Sequence, residues 1–197
     1  RLICEVTGME RAAFCRTGSE AVTAAIRVAR TVTGRDKIAM FAGAYHGIFD
    51  EVLVRSTTVG GVPRSIPIAP GIAPNMVENI VVLEYGSPES LRTIKAMDKE
   101  LAAVLVEPVQ SRRPDLQPRE FLHDLRKITT ESQTALVFDE VVTGFRTHPG
   151  GAQALFGVRA DIATYGKVIG GGLPIGVVAG RSTYLDALDG GIWRYGD

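Results

Sequence analysis

Lys167 stands in ATYGKVIGGGLPIG, just after a short apolar run, between Gly166 and Val168 and ahead of three consecutive glycines. A lysine among small residues that clear space around its amine suits a Schiff-base nucleophile better than a surface ammonium. Two nucleotide-binding readings fail on the letters. A Walker loop needs Ser or Thr after the lysine, where Val168 stands, and a dinucleotide fingerprint needs glycine three residues after Gly172, where Ile175 stands. A second candidate lies in ALVFDEVVTGFR, where an apolar run ends in Asp139 and Glu140. Side chains alternate along a strand, so one carboxylate can enter a site while its neighbour faces the other way. A third is the run AAFCRTGSEA, in which an apolar segment passes through Thr17, Gly18 and Ser19 into a helical pattern. Gly18 admits close backbone approach, Ser19 offers a hydroxyl at the helix cap, and free amides there favour an anion such as phosphate. Alone, this stretch reads equally as an ordinary capped helix. The fourth is AGAYHG, where Tyr45 in a glycine-bracketed turn offers a ring face to a flat heterocycle. His46, taken alone, reads as a hydrogen-bonded structural histidine.

The elements that must position these residues are legible as short Val-, Ile- and Ala-rich runs alternating with helical spacing, which is the pattern of an α/β domain with a mostly parallel sheet. Strands are expected over 12 to 15, 37 to 41, 79 to 83, 101 to 107, 134 to 140, 162 to 165 and 175 to 180, most of them apolar on both faces as buried parallel strands are. Helices are expected over 19 to 33, with a stripe of Ala21, Val22, Ala25, Ile26, Val28 and Ala29, over 88 to 97 behind the Ser87–Pro88 start, and over 119 to 131. Residues 55 to 78 carry Pro63, Pro67, Pro70 and Pro74 with Gly60, Gly61 and Gly71, and read as one long loop. In open α/β sheets the ligand crevice lies at the carboxyl ends of the strands, where the Asp139–Glu140 pair would sit.

Composition narrows the function classes. The 197 residues are 45% hydrophobic, and 22 basic residues balance 22 acidic ones, so no charge footprint points to nucleic acid or an anionic membrane. No apolar run is long enough to span a bilayer, and a cytoplasmic setting is expected. Cys4 and Cys15 and the scattered His46, His123 and His148 form neither a disulfide framework nor a metal site. The chain opens on Arg1 and closes on GIWRYGD without a helix stop, so a piece of a longer protein is expected.

Taken in order, TGSEA, YHG, DEVVTGFR and GKVIGGGLPIG resemble the class III aminotransferases, a group that includes ornithine aminotransferase, ω-amino acid transaminases and glutamate 1-semialdehyde aminomutase. The resemblance covers essentially the whole chain. It implies a fold-type I large domain built on a mostly parallel seven-stranded sheet, with residues 1 to 197 as its central part and the C-terminal small domain missing. It implies pyridoxal 5′-phosphate (PLP) as cofactor, with Gly18 and Ser19 at its phosphate, Tyr45 stacked on the ring, Val141 on the opposite face, Asp139 at the ring nitrogen and Lys167 as the Schiff-base lysine. Lys167 and Asp139 are thereby the catalytic candidates, and Glu20, His46 and Glu140 of the same motifs, with Glu107 of the retained VEPV turn, are further candidates around them. It also implies a homodimer, with a threonine beyond this chain reaching the neighbouring subunit's cofactor phosphate.

One stretch departs from the family. Many relatives follow the VEPV turn with glycine and asparagine, whereas this chain reads QSRRPDLQP at 110 to 118. That wording resembles the aminotransferase domains embedded in polyketide and nonribosomal peptide synthetases. It implies a small-molecule amino donor and a β-keto acyl acceptor on a carrier protein, with Arg112 or Arg113 available to a phosphopantetheine phosphate or an acidic carrier surface. Two alternatives stand beside it. One is an aminomutase or ω-amino acid transaminase acting on a free small substrate. The other is a noncatalytic interaction domain, which the cost of burying an unused lysine and acid argues against.

Overall fold

The computed structural model describes residues 1–188; the closing GIWRYGD lies outside the described residues. Seven strands form one sheet in the order β1 (Arg11–Cys15), β9 (Gly176–Gly180), β8 (Ile162–Tyr165), β7 (Ala135–Asp139), β6 (Leu101–Val106), β2 (Lys37–Phe41), β5 (Ile80–Leu83). The pairs β2–β5, β2–β6, β6–β7 and β7–β8 are parallel, while β9 runs antiparallel to both β8 and β1. Two reversals cancel, so β1 points the same way as β8. The carboxyl ends of β1, β2, β6, β7 and β8 therefore open on one edge of the sheet.

Both faces are covered, which is why the strands read as unbroken apolar runs rather than alternating ones. In β7, Leu136 and Phe138 enter one core with Phe121, Leu122 and Leu125 of α4 (Arg119–Ser132) and Ile94 of α3 (Pro88–Ala96). Ala135 and Val137 enter the other, beneath Val22, Ala25, Ile26 and Ala29 of α2 (Gly18–Thr33). The stripe expected on α2 is its buried face, residue for residue. Ser87 accepts from the Glu89 amide and starts α3 as expected. At the sheet's amino edge, Asp161 accepts from the Leu136 amide (2.8 Å) and pairs with Arg126 (2.9 Å).

The long loop expected over 55 to 78 is instead largely a β-hairpin, β3 (Val54–Val59) with β4 (Val62–Pro67). Gly60 and Gly61 both take positive φ (59° and 81°), as a two-residue hairpin turn of primed type demands. Prolines hid the strand. Residues flanking such a turn form a hydrogen-bonded pair, and the alternation that follows places Pro63 and Pro67 at positions whose missing N–H no partner needs. The Ile68 amide donates to the Leu53 carbonyl at 3.0 Å, on the phase this alternation requires. Among the described residues, three short α-helices also escaped the sequence reading: α1 (Leu2–Thr7), α5 (Gly151–Phe156) and α6 (Ser182–Leu185), each under two turns and too short for a period to register.

β9 and the start of α2 meet backbone to backbone. A Cβ at Gly176 would stand 2.5 Å from the Thr17 carbonyl carbon, closer still to its oxygen, and 3.2 Å from the Gly18 nitrogen. Gly176→Ala is therefore expected to destabilise the full-length protein by about 1–3 kcal/mol through forced backbone shift and to weaken binding at the α2 turn. Thermal melting and PLP titration of the variant check both, and a wild-type melt would show that the two backbones are not in contact.

Candidate active site

Loops from five different strand ends line one cavity of about 200 Å³ at the sheet's carboxyl edge, bounded by Gly18, Ser19, Tyr45, Glu107, Asp139, Val141 and Lys167, with Val22, His46, Gly47 and Val142. Its floor is Asp139, which ends β7 and is 4% exposed. The Asp139 Oδ2 lies 2.8 Å from His46 Nδ1, and Oδ1 accepts from the Val141 amide (3.1 Å) and the Thr164 hydroxyl (3.3 Å). An ionised carboxylate has about four acceptor sites. Three are taken by neighbours that fix the plane of the group, which leaves room for one more donor.

The glycines flanking this floor act by close approach. A Cβ at Gly18 would stand 2.9 Å from Val141 Cγ2, and one at Gly166 would stand 3.3 Å from Val141 Cγ1 and 3.7 Å from the Gly18 Cα. Val141 is thus gripped between the turn after β1 and the turn after β8. The triplet Gly170 to Gly172, expected to clear space around Lys167, does something else: Gly171 and Gly172 take positive φ (55° and 101°) in open surroundings and serve the turn itself.

Ser19 needs a correction of role. The cap of α2 is Thr17, whose hydroxyl accepts from the Glu20 amide at 3.1 Å while the Glu20 carboxylate accepts from the Thr17 and Arg16 amides, a capping box. Ser19 lies inside the first turn, facing the cavity, and its oxygen accepts from the Ile48 amide at 3.3 Å. Glu20 is engaged in the cap and does not line the cavity. The turn carrying Tyr45 and His46 rests on Ser19 through Gly47, where φ is 114° and a Cβ would fall 2.5 Å from the serine oxygen.

That turn is clamped from below by residues the motifs only partly disclosed. Glu107 accepts from the Tyr45 amide (3.2 Å) through one carboxylate oxygen and from the Ser111 amide (2.7 Å) through the other. Gln110, missed by the sequence reading, donates to the Ala42 carbonyl at 2.9 Å. Its position three residues past Glu107 in the same turn was the available signal. Tyr45 itself keeps 43% of its surface open at the cavity mouth. His46 is buried, and among the described residues its Nε2 has no hydrogen-bond partner.

Lys167 follows β8 with φ 47°, the left-handed region that side-chained residues avoid at a cost of about 1–3 kcal/mol. It is exposed at the cavity edge rather than buried. The burial cost weighed against an idle domain therefore rests on Asp139 alone, while Lys167 is marked by its backbone. Glu140 points away from the cavity, as strand alternation requires of the neighbour of Asp139, and contacts the start of α5. Among the described residues no group of His, Cys, Asp and Glu could hold a metal ion, and no helix is long and apolar enough to cross a membrane.

The family model Aminotransferase class-III matches residues 1–193. The chain belongs to the class III aminotransferase family. Enzymes of this family use PLP. A glutamate-1-semialdehyde 2,1-aminomutase from Methanococcus maripaludis is 42% identical over 179 residues, covering 90% of this chain and 42% of that protein. A solved transaminase with PLP bound superimposes with a TM-score of 0.88 at 35% identity, over 100% of this chain and 47% of its own. A beta-phenylalanine aminotransferase from Variovorax paradoxus gives a TM-score of 0.82 at 34% identity, over 100% of this chain and 43% of its own. This class III chain thus spans less than half the length of the proteins it matches. The class III core also has the donor set that PLP asks for: a buried carboxylate with one free acceptor site, an amine at the cavity edge, and a helix start with a serine lining the same cavity.

Proposed function

We propose that the full-length protein is a PLP-dependent transaminase that moves an amino group from an amino-acid donor to a β-keto acyl group held on a carrier protein. The observation that carries the transaminase reading is the convergence of Ser19, Tyr45, Asp139, Val141 and Lys167 from separate strand ends on one cavity. When bound, the cofactor supplies an electron sink for the substrate carbon and a carbonyl that exchanges amino groups. Ser19 and the free amides of the first turn of α2 would hold its phosphate, where the helix dipole favours negative charge. Asp139 would hold a proton at the ring nitrogen by a charge-assisted hydrogen bond, its plane set by His46, Thr164 and the Val141 amide. Tyr45 and Val141 would confine the ring between an aromatic and a branched apolar face. The Lys167 amine would attach the cofactor and, once displaced by the donor, carry the proton between substrate carbon and cofactor carbon.

Residues 110 to 118 support the acceptor. Arg112 and Arg113 are exposed just past Ser111, whose amide Glu107 holds, so two guanidinium groups stand on a stretch anchored to the cavity wall. Such groups suit the phosphate of a phosphopantetheine arm. The likeness to a beta-phenylalanine aminotransferase supports chemistry at a β-carbon. The second reading, an aminomutase on a free small substrate, is favoured by the 42% identical Methanococcus maripaludis relative. To separate them, the full-length protein with PLP is offered an amino-acid donor with a β-keto acyl carrier protein, and separately glutamate 1-semialdehyde. Formation of a β-amino acyl thioester, detected by mass spectrometry of the carrier, is the expected result. Turnover of the free semialdehyde alone would overturn the carrier-bound acceptor.

A further inference from the structure

Glu140 is a fully buried carboxylate one residue past Asp139 that takes no part in lining the cavity. Its Oε2 accepts from the Thr143 hydroxyl (2.8 Å) and the Ala152 amide (2.6 Å), and its Oε1 accepts from the Gln153 amide (3.2 Å). A Cβ at Gly151 would lie 2.5 Å from Oε1, so the carboxylate occupies the space a side chain would fill. Burial pushes the carboxyl above its ordinary value, against the pull of the Ala152, Thr143 and Gln153 donors. Holding such a group in the core is unfavourable unless it is hydrogen-bonded, and a satisfied buried network fixes the groups that belong to it.

What they organise leads back to the cavity. Gln153 donates from its side chain to the Tyr165 hydroxyl (3.1 Å) and accepts from the Ala160 amide (2.9 Å). The Tyr165 ring is buried against Gly144, where a Cβ would stand 2.6 Å from the ring, and against Phe145, with ring centroids 5.6 Å apart. Tyr165 ends β8, and Gly166 and Lys167 follow it directly. The Glu140 amide also donates to the Thr164 carbonyl at 2.9 Å, one residue before Tyr165. Phe145 and Lys167, both with positive φ (60° and 47°), thus flank the same tyrosine. Such conformations persist only where the surroundings over-determine them.

We infer that Glu140 is a positioning residue that, through Gln153 and Tyr165, sets where the Lys167 amine stands relative to Asp139. The inference rests on the roles proposed above for Lys167 and Asp139. It is tested in the full-length protein with Tyr165→Phe, which deletes one hydroxyl, and Glu140→Gln, which removes the charge. Three measurements are made: melting of the cofactor-free protein, the pH midpoint of the visible absorbance of lysine-attached PLP, and kcat against KM. Tyr165→Phe is expected to fold but melt lower than the wild type, because the buried Gln153 amide loses its acceptor, to shift the pH midpoint, and to lower kcat on the order of tenfold with KM little changed, as a small misplacement of a reacting group does. Glu140→Gln is expected to move the same readouts further; if it does not fold, Tyr165→Phe decides alone. Wild-type pH midpoint and kcat in Tyr165→Phe would overturn the inference, whatever happens to melting. A wild-type protein that never attaches PLP at Lys167 would instead defeat the parent reading. The two failures are told apart by the wild-type spectrum.

Discussion

Lys167→Ala, made in the full-length protein, is expected to lose the visible absorbance that PLP produces when attached to lysine, together with its fixation by borohydride. Amino transfer is expected to fall by at least roughly 10⁴-fold, because one amine is asked both to attach the cofactor and to move the proton, and a positioned base alone contributes about 10²–10⁴-fold. Stability should not follow activity. Lys167 lies at φ 47° and is exposed, so its side chain contributes little to the core and its backbone is strained. Lys167→Gly, which relieves that strain, is expected to melt no lower than the wild type without cofactor while being equally inactive. Spectrophotometric titration with PLP and a thermal melt check both halves. An unchanged absorbance in Lys167→Ala would move the attachment point elsewhere, and a large loss of stability in Lys167→Gly would make the lysine structural.

The second large effect is expected at Asp139. Asp139→Asn preserves shape and the acceptor oxygen that meets the Val141 amide and Thr164 hydroxyl, but it removes the charge that faces the cavity. PLP attachment at Lys167 should survive. Turnover should fall by roughly 10²–10³-fold, the loss typical of deleting one preorganised charge-stabilising group in a water-poor site. Single-turnover measurements with an amino donor, paired with the attachment spectrum, separate the two steps. Near-normal turnover in Asp139→Asn would refute the proposed role. The His46–Asp139 contact at 2.8 Å gives this prediction its sharpness, because the carboxylate is held on three sides before any ligand arrives.

Much of this architecture was legible in the letters. The apolar runs at 37 to 41 and 162 to 165 are strands β2 and β8 with the expected bounds, and the α2 stripe is the buried face. Strand alternation required that Asp139 and Glu140 face opposite ways; Asp139 is the one that lines the cavity, and Glu140, also offered as a site residue, lies outside it. These signals are local. A period of two or near 3.6, a capping serine or a turn glycine acts within a few residues, so it survives being read along a line.

The remainder depended on partners far apart in the chain. Prolines made 55 to 78 look like loop, and only the hairpin register shows that they occupy positions needing no donor. Gly18, Gly166 and Gly176 look alike in sequence to Gly171 and Gly172, yet the first three admit Val141 and the Thr17 backbone while the last two set a turn. Ser19 and Glu20 are adjacent letters with different work, one facing the cavity and the other closing a cap. Gln110 and Gln153 lie outside the motifs, and the link from Glu140 through Gln153 to Tyr165 joins residues far apart in the chain. Chain order alone was enough for the seven strands of the main sheet, the three longer helices and the candidacy of the lysine and the acid. Which glycines yield space, which of the two adjacent acids lines the cavity, and which side chains share that cavity with Lys167 emerge only when five strand ends pack together, because close approach and buried hydrogen bonding are properties of pairs of residues, not of neighbours in sequence.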